Sequence, residues 1–416
     1  MRAEQVSRPS NPPSGRKAKM TRSDRRWLVV MGLGATQIIN WGSTFYLLAV
    51  LAQPIAKDTS WPLPWVAAGL SAGLLSAALI SLKLGLAIRK YGGRNVLAAG
   101  SVAMALGMAV MAWAPSLEIY LVAWVLLGFG MAAGLYDAAF AALGSIYGRG
   151  ARSLVASLTL IAGFSSTITW PMSAVILHYT GWRGVCLAYV ALHLLVALPL
   201  HLLVVPNHSS PAALDTGGEA GTSPLLALSE RPSFLMMASA LTTISTIAAV
   251  LSVHVIAMMT RYGLAVDTAV GLAALIGPSQ VLARSIEVAV GHRYHPHWTL
   301  LAAAMLILLG LAILLLVPSL IWLALVIYGA GAGIGSIARG TVPLSIFGAA
   351  RYPSIMGRLA SVGLLAQAAA PPIAAVILVA NKDLLAVVLV ALAALAVAFV
   401  VCLLNIKRDP DQLVPS

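Results

Sequence analysis

The chain has 416 residues, 60% of them hydrophobic and only 9% charged, with a mean hydropathy of +0.92. A soluble fold of that composition would lack the polar surface to cover itself, so an ordinary water-soluble domain is excluded and lipid is the expected solvent. A net charge of +13 would suit nucleic acid, but the basic residues stand in short clusters between apolar runs, which is membrane topology and excludes that partner.

Residues 1–26 carry eight arginines and lysines among prolines, serines and a glycine, with no apolar stretch for a signal peptidase. They read as a basic cytoplasmic tail. Pro9, Pro12 and Pro13 also break the amphipathic helix that an organelle presequence needs. A bilayer core of about 30 Å takes ~20 apolar residues per helix. Windows of that length predict spans near 28–52, 65–88, 96–114, 119–143, 153–178 and 185–205, and again near 234–259, 268–290, 299–317, 320–347, 359–379 and 384–404. Residues 206–232 between the two sets are rich in Pro, Gly and Ser, a linker composition. The expected organisation is a six-helix bundle over 27–205, a cytoplasmic linker over 206–232, a second bundle over 233–404 and a short tail over 405–416. Cys186 and Cys402 fall in apolar segments and read as packing residues.

With both termini inside, the inner loops hold Arg89, Lys90, Arg94, Arg149, Arg152, Arg231, Arg293, Arg351 and Arg358, and the tail adds Lys407 and Arg408. The outer loops hold only Lys57, Arg183, Arg261 and Lys382. That asymmetry predicts cytoplasmic termini and an inner-membrane location.

The halves also repeat each other. Gly128, Gly130 and Gly134 recur 201 residues later as Gly329, Gly331 and Gly335, and Pro171 recurs at the same offset as Pro372. Arg89-Lys90-Tyr91 has a looser echo in His292-Arg293-Tyr294. Equivalent spans six helices apart point the same way, so the expected fold is an all-α membrane protein of about twelve helices. Its two bundles would be related by a pseudo-two-fold axis along the membrane normal.

On these residues the chain resembles the major facilitator superfamily. The stretch GLAIRKYGGR at 85–94 is similar to the superfamily's loop between helices two and three, with Gly85, Gly92 and Arg94 matching and Arg89 standing where the motif has its Asp. The GWR at 181–183 and the Gly148-Arg149-Gly150-Ala151-Arg152 loop are also typical. The fourth helix lacks the Arg of many proton-coupled members, reading Trp124-Val125-Leu126-Leu127-Gly128. Trp170-Pro171-Met172-Ser173-Ala174 keeps only the proline of the drug-antiporter motif. The resemblance implies a secondary transporter whose helices one, four, seven and ten line a central cavity.

A charge at mid-helix costs about 2.5–3.5 kcal/mol even on lenient insertion scales, so such residues mark a network or a site. Asp137 in span four and Arg339 in span ten fall at similar depth, and the resemblance places them on opposing cavity walls. Gln280, Arg284 and Glu287 follow i, i+4, i+7 in span eight, a single polar stripe. A purely structural charge network is the competing reading. Gln37, Asn40, Trp41 and Thr44 form a second stripe in span one, suited to an organic ligand. Expected substrate contacts are therefore Gln37, Asn40, Trp41, Thr44, Gln280, Arg284 and Arg339. Asp137, Glu287 and His254 are the candidates for proton coupling or gating. The arginine in helix eight resembles the carboxylate-binding arginine of monocarboxylate-type members and favours an anionic substrate. The alternative is a proton-coupled exporter of amphipathic drugs. His292, His295 and His297 lack accompanying acids or cysteines and read as a polar loop, so no metal is expected. With no phosphate-cradling motif ATP is not the visible energy source, no cofactor is expected, and no nucleophile and base stand at a telling spacing. The expected partners are a small solute, a proton and membrane lipid, with the protein a monomer.

Overall fold

The computed structural model describes residues 22–207 and 230–406, so the expected basic tail up to Thr21, most of the linker and the last ten residues lie outside the described residues. The described chain is helical almost throughout. Span one is α1 (Arg22–Gly42) and α2 (Leu47–Thr59), and span two is α3 (Leu63–Ser81) and α4 (Leu84–Tyr91). Span three is α5 (Gly93–Ala112), and span four is α6 (Leu117–Gly134) and α7 (Tyr136–Tyr147). Spans five and six are α8 (Ala151–Ala162), α9 (Ser165–Leu192), a π-helical turn His193–Ala197 and α10 (Leu198–Val204). Span seven is α11 (Arg231–Arg261), span eight is α12 (Val266–Ala273) and α13 (Ile276–Val290), and span nine is α14 (Pro296–Leu316). α15 (Ile321–Ala380) holds spans ten and eleven, and α16 (Lys382–Ile406) is span twelve.

Nine helical stretches among the described residues are long and apolar enough to cross a membrane. Two of these are double, turning over at Gly181 (φ 70°) and Gly348 (φ 71°), and span eight is divided between two shorter helices. The crossings are therefore twelve, six in each described block, forming two bundles related by a pseudo-two-fold axis along the membrane normal. The repeat is visible in the backbone. Gly148 (φ 57°) turns the chain between spans four and five as Gly348 does between ten and eleven, and a side chain there would meet the left-handed region that L-residues avoid.

Because spans alternate in direction, the start of α1, the end of α16 and the turns at Gly148 and Gly348 share one face, here called the terminal face. At this face the bundles are packed into a single apolar core. Phe140, Val155, Leu158 and Leu84 of the first bundle join Val342, Tyr352, Ile355 and Met356 of the second. The approach is close enough to exclude a methyl group: a Cβ on Gly85 would lie 2.3 Å from Ser354 Cα, and one on Gly357 would lie 2.4 Å from the Ser81 carbonyl oxygen. At the opposite face the ties run inside each bundle instead. Asp58 accepts from Trp182 Nε1 at 2.9 Å and from Arg183 Nη1 at 2.5 Å, and Arg261 Nη1 donates to the Leu378 carbonyl at 2.6 Å.

Candidate functional site

Span four breaks at Leu135, whose extended backbone (ψ −173°) ends α6 and leaves the Gly134 carbonyl without its helical donor. Two side chains of span one replace that donor: Gln37 Nε2 at 2.6 Å and Asn40 Nδ2 at 2.8 Å. The break also starts a new helix, α7, with Asp137 in its first turn, where the helix dipole favours a carboxylate. Arg339, from the unbroken Gly-rich part of span ten, meets Asp137 in a bidentate pair, Nε to Oδ1 and Nη2 to Oδ2 both at 2.9 Å. Its remaining terminal nitrogen, Nη1, donates to Ser245 Oγ of span seven at 3.0 Å. One cluster thus joins spans four, seven and ten, with both charged side chains less than a fifth exposed.

Arg284 is buried and reaches across to the first bundle. Its Nη1 donates to the Thr159 carbonyl at 3.2 Å, its Nε to the Gly333 carbonyl at 3.3 Å, and its Nη2 to Gln280 Oε1 at 3.2 Å. Thr159 lies in the last turn of α8, so the guanidinium sits at a helix C-terminus, where the dipole favours a cation. Three of its five N–H groups are engaged, all by uncharged oxygens. Among the described residues Arg284 forms no ion pair.

An aromatic group joins span one to spans four and five. Trp41 packs on Phe45 and Tyr136 with ring centroids at 5.3 Å and 5.1 Å, and Tyr136 stacks on Phe140 at 5.2 Å. Tyr46 meets Trp170 edge-on at 5.8 Å. Tyr46 and Tyr136 both lie within electrostatic reach of Arg284.

The expected site residues are thus divided. Asp137 with Arg339 and Gln280 with Arg284 come together at the bundle interface, with Trp41 in the aromatic group beside them. Glu287 does not share the setting of Arg284: it accepts from Thr299 Oγ1 at 2.7 Å and lines a separate cavity of about 830 Å³ between spans eight, nine and ten. Gln37, Asn40 and Thr44 are fully buried, the first two capping Gly134 and Thr44 bonding its own-helix carbonyl of Asn40 at 2.6 Å. His254 Nε2 donates to the Pro371 carbonyl at 2.9 Å and ties span seven to span eleven.

The sequence pattern does not single out Tyr136 and Trp170, which look like ordinary membrane aromatics but pack on Trp41 and Tyr46 of span one. In the sequence Arg152 stands out only as a loop charge. Its Nη2 donates to the carbonyls of Gly291 and Tyr294, both at 2.6 Å, tying the first bundle to the second at the terminal face.

A profile of the Major Facilitator Superfamily matches residues 33–371. No curated protein matches the sequence. Among solved structures, FucP in its outward conformation aligns with a TM-score of 0.71 at 15% identity, over 90% of this chain and 98% of that one. The proton:xylose symporter XylE aligns at 0.73 with 12% identity, over 91% and 96%. The human organic anion transporter MFSD10 aligns at 0.70 with 17% identity, over 90% and 99%. At such identities the likeness carries the fold alone, and together with the profile over most of its length it establishes that the chain belongs to the major facilitator superfamily.

Proposed function

We propose that the protein is a secondary active transporter of a small organic anion, most simply a carboxylate, working by alternating access with proton coupling. The observation that carries the reading is Arg284: a buried guanidinium at the bundle interface, held by three neutral oxygens and lacking a carboxylate among the described residues. An isolated charge in that position costs several kcal/mol unless something compensates it, and a substrate anion completes the compensation. Guanidinium has the planar fork that a carboxylate accepts in bidentate fashion. Gln280 supplies a neutral hydrogen-bonding group beside it. The structural neighbours include both an organic anion transporter and proton-coupled sugar symporters, which supports solute transport and leaves the solute class to these residues.

The basic loops make the terminal face cytoplasmic in a cell inner membrane. This conformation is then closed to the cytoplasm by the Asp137–Arg339 pair and by the Arg152 contacts below it. Protonation of Asp137 removes the charge that holds Arg339, so a proton arriving at this carboxylate loosens the closed side. Arg284 takes part in the same cycle, because a substrate that draws its guanidinium off the Thr159 carbonyl weakens a tie between the bundles.

The test is thermal-shift and transport measurement with organic acids on the wild type, Arg284→Lys and Arg284→Ala. The expected result is stabilisation of the wild type by its substrate through mass action. Arg284→Lys should weaken binding by about tenfold or more through loss of the fork, and Arg284→Ala should abolish it without loss of yield. If Arg284→Ala keeps solute transport, or if amphipathic cations rather than acids stabilise the wild type, the anion reading falls and the drug-exporter alternative stands.

A further inference from the structure

The cavity beside Glu287 is separate from the site above. Its walls are apolar, and Ile286, Trp298 and Met305 on its rim are each about half exposed on the outer surface of the second bundle, so it opens to the bilayer. Glu287 is its acidic group. One carboxylate oxygen accepts from Thr299, and none of the ion pairs among the described side chains includes it. The fold does not require an acid here: at the two repeat offsets of 201 and 203 residues the first half carries Leu86 and Leu84. Glu287 lies one turn before the end of α13 at Val290, and Tyr294 and Trp298 flank it, the aromatic signature of headgroup depth.

We propose that this groove is a binding site for an aminophospholipid. The primary ammonium of the headgroup donates to Glu287, and one acyl chain lies along Ala302, Met305 and Leu306 of span nine. A lipid is favoured over a soluble amine because the walls face hydrocarbon and the acid stands where headgroups stand. The site also touches the gate. Arg152 is close enough to Glu287 to feel its charge, and it holds the carbonyls of Gly291 and Tyr294, the latter a wall of the groove. This proposal is independent of which solute Arg284 takes.

The experiment is native mass spectrometry of the full chain released from nanodiscs of equimolar phosphatidylethanolamine, phosphatidylcholine and phosphatidylglycerol. The wild type should retain the primary amine over the other two by about tenfold, as expected for a charge-assisted hydrogen bond. Glu287→Gln should erase the preference. Ala302→Phe, which fills the groove and leaves the carboxylate in place, should lower phosphatidylethanolamine retention by a similar factor, and it tests the site even if the Gln variant is unstable. Equal retention of the three lipids by the wild type, or an unchanged preference in Glu287→Gln, overturns the proposal. Retention and Glu287-dependent transport of dodecylamine would make the groove a solute entrance and overturn it equally.

Discussion

The two bundles keep their polar residues for different purposes. Inside the first, spans one, three and six share a neutral network: Ser101 Oγ meets His201 Nδ1 at 2.9 Å, His201 Nε2 meets Thr36 Oγ1 at 3.1 Å, and Ser43 Oγ meets His193 Nε2 at 2.8 Å. Every one of these side chains is buried, and the partners lie within the same bundle. The second bundle has internal ties as well, His254 to the Pro371 carbonyl, Arg261 to the Leu378 carbonyl and Arg351 to Glu230, but it also sends charged groups outward. Arg339 reaches Asp137 of the first bundle, Arg284 reaches Thr159, and Glu287 faces the bilayer groove. Neutral pairs that stay within a bundle fix its packing, because breaking them gains nothing in any conformation. Charges that cross the interface can be made and broken as the bundles rock. In the proposed alternating-access cycle the crossing charges are the contacts that change.

The largest expected effect comes from breaking the Asp137–Arg339 pair. Removing one partner leaves a buried charge unmatched, at a cost of about 3–5 kcal/mol in the closed conformation. Arg339→Ala and Asp137→Ala should therefore lower the melting temperature and abolish transport. The exchange of the two residues should restore part of both, because direct partners couple. Strict additivity of the two losses would show that they act separately and remove them from the gate.

Gln37 and Asn40 sharpen the comparison at the next level. If they only cap the Gly134 carbonyl, the double variant Gln37→Leu with Asn40→Ala loses about 1–3 kcal/mol of stability, and the protein that remains folded binds solute normally. Lost binding at unchanged stability would return them to the substrate site. His201→Leu should behave like the capping variant, orphaning Ser101 while Thr36 keeps its bond to the Leu33 carbonyl, at a similar cost and with no effect on the transport rate per folded molecule.

The twelve spans were legible because the bilayer imposes one length on every crossing, and the repeat was legible because equivalent glycines permit equivalent helix contacts. Asp137 and Arg339 could be matched in depth for the same reason. The polar stripes were less informative. A helical stripe fixes which residues share a face and says nothing of what that face meets: Gln37 and Asn40 face a broken helix, and the end of α6 at Gly134 has no mark in the sequence distinguishing it from the continuous span ten. Glu287 shares a stripe with Arg284, yet one helical turn is enough to carry it from the bundle interface to the groove. His193 and His201 carry no signal of their pairing in the sequence, since their partners in spans one and three lie 100 or more residues away.

The smallest expected effect concerns an ion pair of the same chemistry in a different place. Asp58 and Arg183 meet at the opposite face with side chains 51% and 47% exposed, whereas those of Asp137 and Arg339 are 15% and 17% exposed. Water and salt screen the first pair, and a Debye length of about 10 Å at 0.1 M leaves little attraction beyond contact. Arg183 also lies over the Trp182 ring at 4.3 Å, a contact that survives loss of the acid. Asp58→Asn should therefore shift the melting temperature only slightly, and raising the salt should erase the shift. Asp137→Asn should keep its full effect under the same salt, because its partner is shielded from ions. Transport should be near normal in Asp58→Asn, since both partners belong to the first bundle and their contact does not change when the bundles rock. A transport loss in Asp58→Asn as large as that in Asp137→Asn would mean that the opposite face is gated through this pair as well, and the division between packing contacts within a bundle and switching contacts across the interface would fail.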